Sequence, residues 1–346
     1  MKKFAARAAY RLLAVVLAAM LAACAGKENF AGGPGAAGPE ATAGAAQADN
    51  GLTLSQPDYQ RTPPPVQLAE MGGAVQQVRD DGGRNGIVDT TNASKGYVGV
   101  VCNASVQARV RIIKDEAAGE IDDYDIDTDG TPSFYPFSRG NGVYTVILYV
   151  FLEETPQGPS YERFLVSEVN VALESEFAPF LVPSRLMNYS ESSACVSLSY
   201  EITQHCATDL EVVQQIYSWI AKNVKYDQSK AEQVASGVYF EAENPDITIQ
   251  MKSGICYDYA ALAGSMLRAN GIPTKLVKGD VFVSEADGWV FHAWNVVWLK
   301  ETGWIAVELA ADPNDWSRID TTFAAAGTGM GRFIGDGSNY TPISEH

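Results

Sequence analysis

Between Ser253 and Pro273 the chain reads Ser-Gly-Ile-Cys-Tyr-Asp-Tyr-Ala-Ala-Leu-Ala-Gly-Ser-Met-Leu-Arg-Ala-Asn-Gly-Ile-Pro, and no other segment constrains the fold as tightly. Leu262, Met266 and Leu267 recur at helical spacing, and the small residues at 260, 261, 263 and 264 let another element approach closely. Asn270-Gly271 followed by Pro273 stops the helix. Cys256 therefore stands in a first helical turn, where unpaired backbone N–H groups and the positive end of the dipole favour the thiolate. The same N–H groups can hold the oxyanion of a tetrahedral intermediate. A buried structural cysteine is the other reading, and this segment alone leaves both open.

The sequence that follows supplies a partner. Residues 275–283 and 290–299 read as strands, Lys300-Glu301-Thr302-Gly303 as a hairpin turn, and Trp304-Ile305-Ala306-Val307 as the start of a third strand. His292 lies on the second of these, and the chain has only two other histidines, His205 and His346. A lone strand histidine is usually structural. Beside a helix-start cysteine, with an acid downstream to hold its tautomer, it becomes a candidate base for the thiol proton. Upstream, Thr208 with Glu211 has the spacing of a capping box, and Val212, Ile216, Trp219 and Ile220 form the apolar stripe of a helix over 209–223. Residues 224–253 read as a long polar loop.

Before residue 174 the texture is different. Tyr97–Val101, Val106–Ile112, Gly142–Val150 and Val166–Val171 read as strands. The second alternates strictly, with Val106, Ala108, Val110 and Ile112 on one face and Gln107, Arg109 and Arg111 on the other. Asp129-Gly130 and Gly140-Asn141-Gly142 supply turns, and the spacing predicts a β-sandwich over 82–173. Asp125-Ile126-Asp127-Thr128-Asp129-Gly130 has the opening of a calcium loop, but Pro136 occupies the twelfth position, where a bidentate acid is needed. No metal is assigned.

The first 23 residues read as a lipoprotein signal peptide. Lys2, Lys3, Arg7 and Arg11 precede a short apolar run, which ends in Leu21-Ala22-Ala23-Cys24. That ending is similar to a bacterial lipobox, which implies lipidation of Cys24 and a mature chain anchored to the membrane, at the bacterial cell surface and outside the cytoplasm. Residues 24–81, rich in Ala, Gly, Gln and Pro, read as a flexible tether. With 25 Lys and Arg against 42 Asp and Glu, the net charge of −17 argues against phosphate-neutralising contacts, so no nucleic-acid partner is expected. The scarcity of histidine argues against a multi-histidine metal centre, and no GxxxxGK[ST] loop is present. Of the five cysteines, Cys102, Cys195 and Cys206 remain once Cys24 and Cys256 are given roles, and a Cys195–Cys206 bridge is one arrangement open to them.

Taken together, Gly254-Ile255-Cys256-Tyr257-Asp258-Tyr259-Ala260, Leu267-Arg268-Ala269-Asn270-Gly271-Ile272-Pro273, His292-Ala293-Trp294 and Asp320-Thr321-Thr322-Phe323 resemble the bacterial transglutaminase-like superfamily. The resemblance covers residues 205–325 and extends more vaguely back to 175. It implies an α+β, papain-like domain over 174–330, preceded by the smaller β-sandwich and followed by a tail over 331–346. It also implies Cys256 as nucleophile, His292 as base and a carboxylate as third member. Asp320 is preferred for that place, four residues after Trp316 and followed by Thr-Thr-Phe; Glu308, four residues after Trp304, is the alternative. The implied activity is acyl transfer from a peptide or glutamine amide through a thioester on Cys256, ending in hydrolysis or in cross-linking. It needs no cofactor, and the partner is a peptide or protein substrate, a cell-wall peptide among them. A surface adhesion or scaffold module using the same fold without turnover is the rival reading.

Overall fold

The alternating segments pair as two antiparallel four-stranded sheets. A computed structural model describes residues 59–238, 244–284, 288–300, 302–307 and 340–346 of the chain. In the first sheet, β1 (Val75–Arg79), β2 (Asn85–Asp89), β3 (Tyr97–Asn103) and β6 (Ser133–Pro136) lie in the order β1-β2-β3-β6. In the second, β4 (Ala108–Asp115), β5 (Glu120–Ile126), β7 (Gly142–Thr155) and β8 (Gly158–Val171) lie in the order β5-β4-β7-β8. Ala108, Val110 and Ile112 of β4 are buried, as the alternation requires. They pack with Val88, Val98 and Val100 of the first sheet and with Val146 and Leu148 of the second in one continuous core.

The acidic stretch at the end of β5 is a tie between regions of the chain. Asp127 receives Arg185 from the segment leading into the helices, at 2.8 Å for one of its two contacts. Asp125 meets Arg109 at 3.3 Å, and Asp129 accepts the Thr131 N–H at 2.8 Å.

The second half is mixed α and β. Its described helices are α1 (Ala194–Thr203), α2 (Asp209–Asn223), α3 (Gln228–Ala235), α4 (Pro245–Met251) and α5 (Cys256–Ala269). A four-stranded antiparallel sheet contains β11 (Thr274–Ser284), β12 (Gly288–Leu299), β13 (Gly303–Val307) and β14 (Tyr340–Glu345), in the order β13-β12-β11-β14. Thr208 caps α2 through the Glu211 N–H, and the Glu211 carboxylate accepts the Thr208 N–H, each at 3.2 Å.

Helix α5 is the centre of this half. Every residue from Asp258 to Ala269 is buried. Ala260 and Ala261 join the core of the sandwich, while Leu262, Met266 and Leu267 pack with Val212, Ile216 and Ile220 of α2. A β-carbon on Gly264 would stand 2.4 Å from the Met187 sulfur, so the small residue permits the close approach. Asn295 of β12 joins three elements: it donates to the Ala260 carbonyl at 3.0 Å and accepts the Tyr217 hydroxyl at 2.6 Å.

Three stretches differ from the sequence reading. Structure is present before residue 82: Val75–Arg79 pairs with Asn85–Asp89, Arg61 is bonded to Gln204 and Asp209 beside the helices, and Gly72 and Ala74 are bonded to Asp89 and Thr91 beside the first sheet. That edge strand is almost wholly exposed and carries no apolar alternation, which is why it reads as tether. The stretch read as a polar loop over 224–253 contains α3 and α4, short helices held by Asp227 and Asn244 caps and not by an apolar stripe. The stretch read as a tail ends in β14, paired with β11, and in a buried His346 whose backbone pairs with Leu276 at 2.9 Å. Pairing with a distant strand leaves no local pattern to read.

Candidate active site

The turn into α5 is built to present its first residue. Helix α4 ends at Lys252, which takes the left-handed conformation (φ 53°). Two short parallel strands follow, with β9 (Lys225–Tyr226) beside β10 (Ser253–Gly254) and Gly254 opposite Tyr226. A β-carbon on Gly254 would stand 2.7 Å from that of Asp258, so glycine is needed where the chain turns into the helix. Asp258 then accepts the Ile255 N–H at 2.8 Å, satisfying one of the unpaired donors of the first turn.

Cys256, half-buried, opens the helix there. His292 lies on β12 opposite Gly279, where a β-carbon would clash with the Thr341 carbonyl at 2.3 Å. His292 stands beside the thiol, where its positive charge and the backbone of Ala293 and Tyr257 favour the thiolate. Burial alone would push this thiol up. The positive charge of His292, with these neighbours, outweighs it, and the thiol sits below its ordinary range.

The other described cysteines behave in the opposite way. Cys102, Cys195 and Cys206 are buried free thiols, so no Cys195–Cys206 bridge is present. Burial pushes Cys102 and Cys206 up to about 11 and Cys195 higher still.

The structure thus brings Cys256 and His292 together. Asp320 and Glu308, the two candidates for the third position, lie outside the described residues, as does Cys24. Sequence reasoning missed a neighbour of the site: Lys230 of α3 stands 3.0 Å from both carboxylate oxygens of Asp258, with the side chains only 13% and 3% exposed. Asp258 at the third helical position, the place of a capping acid, was the signal that could have drawn attention to it. Among the described residues no group of three or more histidine, cysteine or carboxylate side chains is arranged to hold a metal ion.

A family model agrees with the resemblance. Residues 196–309 match the family model of the transglutaminase-like superfamily. The UPF0252 protein MJ1282 of Methanocaldococcus jannaschii is 28% identical over 133 residues, which is 37% of this chain and 37% of that relative's own length. A candidate cysteine protease from Cytophaga hutchinsonii aligns in structure at 17% identity and a TM-score of 0.33, covering 72% of this chain and 87% of that one. The periplasmic domain of TgpA from Pseudomonas aeruginosa, solved with ethylmercury, aligns at 15% identity and a TM-score of 0.31, covering 73% and 80%. The first-turn cysteine and the strand histidine both fall within residues 196–309, the span that matches the transglutaminase-like superfamily model.

Proposed function

We propose that this protein is a thiol acyl-transfer enzyme, with Cys256 as nucleophile and His292 as base, acting on peptide or glutamine amides at the bacterial cell surface. The observation that carries the reading is the meeting of Cys256, the first residue of α5, with His292 of β12, whose positive charge holds the thiol below its ordinary range. A thiolate there attacks the amide carbonyl and forms a tetrahedral intermediate. The His292 imidazolium gives its proton to the departing amine as the carbon–nitrogen bond breaks, leaving a thioester on Cys256. The backbone N–H groups of the first turn of α5 can hold the developing oxyanion charge. Water or an amine then attacks the thioester, His292 takes the incoming proton, and the thiol is regenerated. Every step uses side chains of the chain, so the reading includes no cofactor.

Asp320 is the proposed orienting acid for His292, with Glu308 the alternative, and Cys24 is the proposed lipid attachment point. Peptide and protein amides, cell-wall peptides among them, are the proposed substrates.

Incubation with a panel of peptide amides and glutamine donors, followed by intact-mass analysis, tests the reading. An acyl adduct on Cys256 that hydroxylamine removes, absent in Cys256→Ala, is the expected result. If the panel yields neither an adduct nor any product that depends on Cys256, the adhesion or scaffold reading replaces it.

A further inference from the structure

The helix start that favours the Cys256 thiolate also holds a second anion. Asp258 lies two residues along the same first turn, is 3% exposed, and accepts the Ile255 N–H through one oxygen. A carboxylate so poorly screened opposes a thiolate nearby, since like charges in a low-dielectric site disfavour one another. Its charge is met by Lys230, which reaches over from α3 to lie 3.0 Å from both oxygens. The backbone fixes that reach. Asp227 accepts the Lys230 N–H at 2.8 Å as the cap of α3, its own N–H bonds to the Gly254 carbonyl at 2.9 Å, and its other oxygen accepts the Ser253 hydroxyl at 3.2 Å. Helix α3 is thereby tied to the two residues that lead into the nucleophile's turn.

We propose that Lys230 is a positioning residue for Cys256: by neutralising Asp258 it lets one first turn carry both a capping carboxylate and a reactive thiolate. The inference rests on the reading of Cys256 as nucleophile. Other charged or titratable groups near the thiol come from several elements: His292 from β12, Tyr226 from β9 and Tyr259 from α5 itself, with Asp227 at the head of α3 acting on the two tyrosines. The Tyr226 and Tyr259 hydroxyls are pushed up, first by burial and then by the charges of Cys256, Asp258 and Asp227. His292 acts on the thiol directly, whereas Lys230 is paired with Asp258.

The test is the pH profile of iodoacetamide alkylation at Cys256, followed by mass spectrometry on the full chain. Lys230→Met should raise the midpoint by about one pH unit, a tenfold loss of thiolate at a fixed pH below it. Asp258→Asn, which keeps an oxygen for the Ile255 N–H, should lower the midpoint by removing the carboxylate charge from the thiol's own helical turn. The double variant should return close to the wild-type midpoint, and Lys230→Arg should stay there. Opposite signs that cancel are not expected of a purely structural pair, and the double variant keeps the test open if Lys230→Met fails to fold. A depressed wild-type midpoint that none of the variants moves overturns the proposal alone. A wild-type midpoint at the ordinary thiol value of about 8.5 overturns the reading of Cys256 as an activated nucleophile as well.

Discussion

The Tyr124 hydroxyl lies 2.7 Å from Nδ1 of His346, joining the sandwich to the residue that follows β14. Both side chains are buried. The imidazole is bonded at its other nitrogen to the Ser344 hydroxyl at 2.9 Å, and its carbonyl accepts from Arg268 at 3.1 Å. Arg268, wholly buried, donates its other hydrogen bonds to the Thr274 and Val182 carbonyls. Burial lowers its pKa to about 10, leaving it charged at neutral pH. The buried face between sandwich and helices is therefore held by polar contacts as well as by apolar packing. Tyr124→Phe should destabilise the fold by about 1–3 kcal/mol, since it strands a buried ring nitrogen. Chemical denaturation would read this directly, and an unchanged midpoint would refute it.

A pH dependence follows from the same contact. Burial, and then the neighbouring charges of Lys278, Arg139 and Arg268, hold the His346 imidazole well below its ordinary value. The unfolded chain takes up a proton at about pH 6.5, and the folded chain does so only at lower pH. Stability is therefore fully present above that value and declines as the pH falls from it towards the folded-state value. Thermal unfolding should show this decline, and His346→Gln should flatten it. An equal slope in both proteins would remove His346 as its source.

Cys256 should be the first thiol to react in the folded chain. At about pH 6 an unperturbed thiol is almost wholly protonated, and burial moves Cys102, Cys195 and Cys206 further in that direction. Iodoacetamide should label Cys256 selectively, and His292→Ala should abolish the selectivity while the circular dichroism spectrum stays the same. Labelling spread evenly over the thiols would contradict the assignment.

Asp320→Ala should reduce acylation of Cys256 by roughly two orders of magnitude or more, through loss of tautomer control and of imidazolium stabilisation. Glu308→Ala should do less. Single-turnover rates for the two variants decide between the carboxylates, and the reverse ranking assigns the role to Glu308.

Cys24→Ser should move the protein from the membrane fraction to the soluble fraction on ultracentrifugation. Equal membrane association of variant and wild type would exclude a lipid anchor at Cys24.

Several elements were legible in the residues alone because their causes are local. The capping box of Thr208 and Glu211, the alternation of Ala108, Val110 and Ile112, and the stop at Asn270-Gly271 each depend on neighbours within a few positions. The place of Cys256 in a first helical turn was determined in the same way, and with it the tendency of that thiol to ionise. Tertiary structure decided which charges act on it. His292 reaches the sulfur because β12 packs beside α5, and Lys230 reaches Asp258 because two-residue strands join Tyr226 to Gly254. Edge strands β1 and β14 were invisible for the same reason. Periodicity reports which face of an element is buried, whereas the partner of an exposed edge or a buried charge is set by contacts between residues far apart in the chain.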